Sequence, residues 1–140
     1  TIPEPRTPRA NYIPFVQTGN LVFISGQVSQ AVDGLIAGKV GGNLDVETGQ
    51  LAARACGLNL LGQLKVACEG DLDRVSRVVK LGGFVNAPPN FIEPPAVLNG
   101  ASDLMVEIFG ESGRHARFAV ATASLPQGAA VEVDGIFEIK

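Results

Sequence analysis

The sequence predicts an α+β domain in which two amphipathic helices lie on one face of a mixed sheet. Three observations carry this reading. Cys56, Leu60, Leu64 and Ala67 recur at spacings of four, four and three, and Val97, Ala101, Leu104 and Ile108 at four, three and four, each marking one apolar helical face. Near the end, Val131, Val133, Phe137 and Ile139 alternate with Glu132, Asp134, Glu138 and Lys140, the period of a half-buried strand. The segments follow the order strands, helix, strand, helix, strands, with no linker, low-complexity tract or repeat between them. A chain of 140 residues is one domain, 1–140, long enough for a hydrophobic core.

Each element has a local reason. Residues 1–11 hold three prolines and are expected to form an extended arm. Tyr12 to Thr18 forms a first strand, and Gly19-Asn20 is a hairpin signal before the apolar run Leu21 to Ile24. A turn-rich stretch follows, with a short strand around Leu35 to Val40. The first helix runs from about Glu47 to Cys68, capped by Asp45 or Thr48 and stopped by Gly70. Arg74 to Val85 is a long strand of β-formers. Pro94-Pro95 opens the second helix, where proline fits the first turn, and Gly110 closes it. The last segment reads as a hairpin. Arg117 to Ser124 and Val131 to Ile139 are its strands, and Pro126 and Gly128 suit its turn. The total is a mixed sheet of six strands.

Composition narrows the function. Hydrophobic residues make up 46% and charged residues 18%, with a net charge of −3. Mean hydropathy is positive, which points to apolar surface covered by another subunit. Ala119, Ala121 and Ala123 are candidates for that outward surface. Cations are scattered without a basic run or aromatic ladder, which argues against nucleic acid as a partner. No apolar run approaches the ~20 residues of a membrane span, and the first residues lack the apolar centre of a signal peptide, so the cytoplasm is the expected location. Cys56 and Cys68 fall roughly 18 Å apart on one helix, too far to bridge, and fit no metal spacing. They read as buried, reduced thiols.

Arg117 is the one cation of an otherwise uncharged strand, at the mouth of the expected hairpin. Its planar fork of donors matches a carboxylate or phosphate. Taken alone it reads as an interface ion pair. Glu132 taken alone is a solvated carboxylate, Tyr12 a ring anchoring the arm, Ser25 a hydroxyl capping a strand end, and His115 an exposed loop residue. Ser25 has no histidine in a nucleophile arrangement.

Context changes these readings. Gly19-Asn20 precedes Leu-Val-Phe-Ile-Ser25-Gly26-Gln27. Arg117 is followed eight residues on by Leu125-Pro126, and then by Val131-Glu132-Val133. Together these resemble the Rid/YjgF family, the reactive intermediate deaminases once labelled L-PSP endoribonucleases, over about Tyr12 to Lys140. The resemblance implies a chorismate-mutase-like fold, a homotrimer with a central barrel of three sheets, and clefts between subunits. It also implies hydrolysis of enamines or imines such as 2-aminoacrylate to 2-keto acids and ammonia, with no cofactor or metal. Residue by residue, it implies that Arg117 binds the substrate carboxylate and that Gly26 supports it beside Ser25 and Gln27. Tyr12 would close the cleft from an adjoining subunit, and Glu132 would place the attacking water. Asn20 matches a structural asparagine. Two positions depart from the family: Ala119 stands where cysteine is common, and a cleft-lining asparagine falls at or near Pro95. The lip Asn11-Tyr12-Ile13-Pro14-Phe15 also differs from the usual pattern. These departures keep two alternatives open, a non-catalytic 2-keto acid binder and, more remotely, a ribonuclease.

Overall fold

Gly19 turns the chain with φ +59°, and strands β1 (Phe15–Thr18) and β2 (Leu21–Val28) pair antiparallel on either side of it, Thr18 opposite Leu21. The computed structural model describes residues 1–8 and 10–140. Helix α1 (Val46–Ala67) begins at Asp45, whose carboxylate accepts the Thr48 N–H at 2.8 Å. It ends where Glu69 and Gly70 take positive φ. Strand β5 (Val75–Asn86) follows, then helix α2 (Pro94–Phe109) with both prolines in its first turn, then β6 (Ala116–Thr122) and β7 (Val131–Ile139). Both helices cover one face of the sheet and pack on each other. Leu60, Leu61 and Leu64 of α1 and Leu98, Leu104 and Met105 of α2 are fully buried or nearly so. Each such side chain contributes about 1.5–3 kcal/mol by leaving water.

The sheet corrects the reading of the last segment. Its order is β1-β2-β7-β5-β6, so β6 and β7 are not a hairpin. β6 lies parallel to β5 at the sheet edge, while β7 inserts between β2 and β5, antiparallel to both. The physical reason is burial. Val131, Val133 and Phe137 are wholly buried and Ile139 nearly so, which demands a central position with both ladder sides paired. The β6 side chains are at most partly buried, and an edge accepts them.

The main sheet has five strands rather than six. In place of a strand over Leu35 to Val40 there is a two-residue ribbon, β3 (Gln30–Ala31) with β4 (Gly34–Leu35), followed only by isolated bridges at Ala37 and Val40. Gly34, Gly38 and Gly41 all have positive φ and interrupt the extended run. The outward face is also reassigned. Ala119 packs toward the core, and the side chains facing away from the helices include Phe23, Phe84, Phe118 and Val120, each about two-fifths exposed. Phe84 and Phe118 meet edge to face at 5.6 Å. The described residues of the arm form no helix or strand and are seated on α1. Ile2 packs against the core, and the Gln63 amide donates to Arg6 O at 3.1 Å. Residue 9 of the arm lies outside the described residues.

Candidate functional site

Between the arm, the end of β2 and β7 is a cavity of about 460 Å³. Tyr12, Gly26, Gln27, Gln63, Gln127 and Glu132 line it together with arm residues. Glu132 stands on β7 opposite Phe84 on one side and Val28 on the other, on the sheet face away from the helices. The ladder between β2 and β7 is irregular between Ile24 and Gln27, and Gly26 lies in that irregularity. The Glu132 side chain crosses directly over it. A Cβ at position 26 would collide with Glu132 Oε2 and come within 3.1 Å of its Cδ. A side chain at position 26 would therefore push the Glu132 carboxylate from its place. Burial raises the pKa of Glu132, and the charge of Asp134 two residues on adds to the rise. Asp134 is raised too, chiefly by burial and against the pull of the Gly82 N–H and Lys80.

Arg117 is elsewhere. Its strand partner is the fully buried Leu81, and directly opposed residues share a face, so it points to the helix side at the sheet edge. One guanidinium nitrogen, Nη1, donates to Ser102 Oγ at 3.0 Å, and the other, Nη2, to Pro95 O at 3.0 Å. Both acceptors are on α2, two turns apart on one face. A single chain therefore keeps these residues in two separate places. Tyr12, Gly26, Gln27 and Glu132 meet at the cavity; Arg117 does not line it.

Ser25 belongs to the cavity's frame. Its hydroxyl donates to Ile13 O at 2.8 Å and its N–H to Pro14 O at 2.9 Å, pinning the segment that carries Tyr12. The Gln27 amide, almost fully buried, donates to Ser25 O at 3.0 Å. Tyr12 itself is half exposed at the lip. Cys56 lies buried on the helix side, its Sγ 3.3 Å from Val131 O. Its pKa is pushed well up, first by burial and then by Glu132, so it is no nucleophile.

Three neighbours of these residues were not legible in the sequence, Ser102 on α2, Gln63 on α1 and His115, whereas the Pro95 region was singled out there. His115 is half-buried rather than an exposed loop residue, with Nε2 2.8 Å from Ser102 Oγ and Nδ1 2.6 Å from Gly113 O. One signal could have found it, since two residues before Arg117 is the same face of an extended chain. Among the described residues, no helix is long and apolar enough to cross a membrane.

Two helices layered on a mixed sheet, with a carboxylate seated over a glycine, are the architecture of a chorismate-mutase-like α+β protein. Residues 1–137 match the family described as "YjgF/chorismate_mutase-like, putative endoribonuclease", and the chain belongs to that Rid/YjgF family. It is 50% identical over 140 residues to Protein TCP17 of Trypanosoma cruzi, spanning 99% of this chain and 87% of that one. It is 31% identical over 138 residues to a 2-iminobutanoate/2-iminopropanoate deaminase of Dermatophagoides farinae, spanning 99% and 91%. Among solved structures, protein Atu1372 of Agrobacterium tumefaciens, of unknown function, superposes with a TM-score of 0.91 at 48% identity, over 94% of this chain and 83% of that one.

Proposed function

We propose that the protein hydrolyses small carboxylate-bearing imines or enamines of the 2-aminoacrylate type to 2-keto acids and ammonia, as a homotrimer whose sites form between subunits. The observation that carries this is the Glu132 carboxylate, held over Gly26 in a cavity with its pKa raised. Such a group takes a proton from water near neutrality better than an exposed carboxylate does. Arg117, on the other half-site of a neighbouring copy, holds the substrate carboxylate. Two guanidinium N–H groups are spent on α2, which orients the rest as a fork. Water then adds to the C=N carbon, its proton passing to Glu132. Glu132 returns that proton to the carbinolamine nitrogen, the C–N bond breaks and ammonia leaves, and the freed carboxylate takes the hydroxyl proton as the keto C=O forms. Tyr12 covers the cleft, while Gly26, Ser25 and Gln27 shape its floor. The apolar face of Phe23, Phe84, Phe118 and Val120 supplies surface for the subunit contact. The kinship with a relative named as an imine deaminase supports the same reaction class.

The test is a coupled assay on freshly generated 2-aminoacrylate. Arg117→Ala and Glu132→Gln should each lose keto-acid release above the buffer rate while the assembly persists. Co-refolding equal amounts of the two inactive variants should restore activity, because each mixed trimer pairs an intact Arg117 of one chain with an intact Glu132 of the next at one of its three sites, roughly a quarter of all sites in the mixture. Unchanged turnover in Arg117→Ala removes the proposal. Pyruvate binding without catalysis by the wild type would instead support the binder alternative, which Ala119 motivates because it brings no acid–base group to the Arg117 strand.

A further inference from the structure

We infer that His115, acting through Ser102, is a positioning residue that sets the Arg117 fork. The inference rests on Arg117 as the carboxylate holder proposed above. It follows from counting protons along one chain of contacts. A guanidinium only donates, so Ser102 Oγ must accept from Arg117 Nη1 across their 3.0 Å contact. The Gly113 carbonyl, 2.6 Å from His115 Nδ1, can only accept, so the ring proton sits on Nδ1. In the neutral ring Nε2 is then the acceptor, and the one hydroxyl proton of Ser102, 2.8 Å away, is its donor. Every donor and acceptor in the line Gly113, His115, Ser102, Arg117 is used once and in one direction. The second nitrogen of the guanidinium is fixed separately by Pro95 O.

An imidazolium would break this order. Its Nε2–H would aim at Ser102 Oγ, the atom that already accepts from Arg117, and the hydroxyl proton would have to turn away. Two cations would then converge on one oxygen. Half-burial of the ring and the nearby Arg117 charge both lower the His115 pKa, and outweigh the opposing pull of the Gly113 carbonyl, in keeping with a neutral ring. Loss of the ring frees the Ser102 hydroxyl to rotate and offers Arg117 Nη1 a less constant acceptor. The fork then has one fixed nitrogen instead of two. Uniform loss of grip raises KM and weakens keto-acid binding, while leaving the proton transfer at Glu132 intact.

His115 is the only histidine of the chain, so imidazole ¹⁵N NMR of the wild type reports on it alone. The neutral Nδ1–H tautomer is expected near pH 7.5, and Ser102→Ala should shift the Nε2 resonance. An Nε2–H tautomer or a charged ring there overturns the inference whether or not the protein turns anything over. The second arm compares His115→Leu with His115→Gln, whose amide oxygen can stand in for the Nε2 acceptor. The Leu variant should bind pyruvate about 10-fold more weakly and raise KM by a similar factor with kcat within about 3-fold, and Gln should restore most of the affinity. Leu and wild type alike in both measurements would sink it. A wild type that binds pyruvate, shows the Nδ1–H ring and deaminates nothing would retire the deaminase reading and uphold this one.

Discussion

The surroundings of Glu132 and of Arg117 are built by opposite means. Around Glu132, matter is left out: position 26 has no side chain, the ladder is interrupted, and the carboxylate occupies the gap. Around Arg117, partners are added, with Ser102, Pro95 and, at one remove, His115 holding a long flexible side chain by hydrogen bonds. The carboxylate sits on the central strand and the arginine on an edge strand, on opposite faces of the sheet. The first setting raises the pKa of a carboxylate through burial, and the second orients a permanent charge. Proton chemistry should therefore be sensitive to bulk near Gly26, and binding to the seating of α2.

Gly26→Ala should give the largest separation. Its Cβ displaces the Glu132 carboxylate while leaving Arg117 untouched, so kcat should fall about 100-fold with pyruvate affinity changed little. Steady-state kinetics beside a pyruvate titration checks this, and a matching loss of affinity would mean that the halves are not independent. Gly83→Ala attacks the other half. A Cβ there would lie 2.5 Å from Leu98 of α2, and overpacking of this kind costs about 1–3 kcal/mol. Thermal melting should drop, and pyruvate binding should weaken more than kcat, because α2 carries both acceptors of Arg117.

Asp134→Asn should have the smallest effect and the most diagnostic one. The Asp134 charge helps to raise Glu132, after burial. In the proposed mechanism ionised Glu132 is the base, so activity should be lost as pH falls through its pKa. Removing Asp134 lowers that pKa, and the acidic limb of kcat/KM should move to lower pH. Stability follows the same sign. A carboxylate raised on folding contributes stability that is full below its unfolded pKa and lost as pH rises through the folded one. Both Glu132 and Asp134 are of this kind, so the Asn variant should melt no lower than wild type at neutral pH.

Much of the fold was legible in the residues. The bounds of both helices, the turn at Gly19 and the buried face of β7 follow from local spacing and turn chemistry. What was not legible is which strands become neighbours. Alternation in β7 says which side chains are buried, and is silent on whether β6, β2 or β5 lies beside it. Two strand patterns joined by the turn residues Pro126 and Gly128 suggested a hairpin, and burial of β7 between two paired neighbours overruled it. The same limit hid the partners of Arg117. Pro95 and Ser102 are brought to it by helix packing across 22 and 15 residues of chain, a separation that no local pattern encodes. Motif spacing picked out Gly26 and Glu132, and the fold adds that the carboxylate of one lies directly over the other.

The central position of β7 has a consequence for assembly of the domain. It is the last strand in chain order, yet it alone joins β2 to β5. A polypeptide interrupted before Val131 would possess a β1–β2 ribbon and a β5–β6 ribbon with nothing to stitch them into one surface, and its two helices would have no continuous floor. Such long-range closure makes folding cooperative and slow to commit, so a nick between Thr122 and Val131 should undo the whole domain instead of trimming one margin.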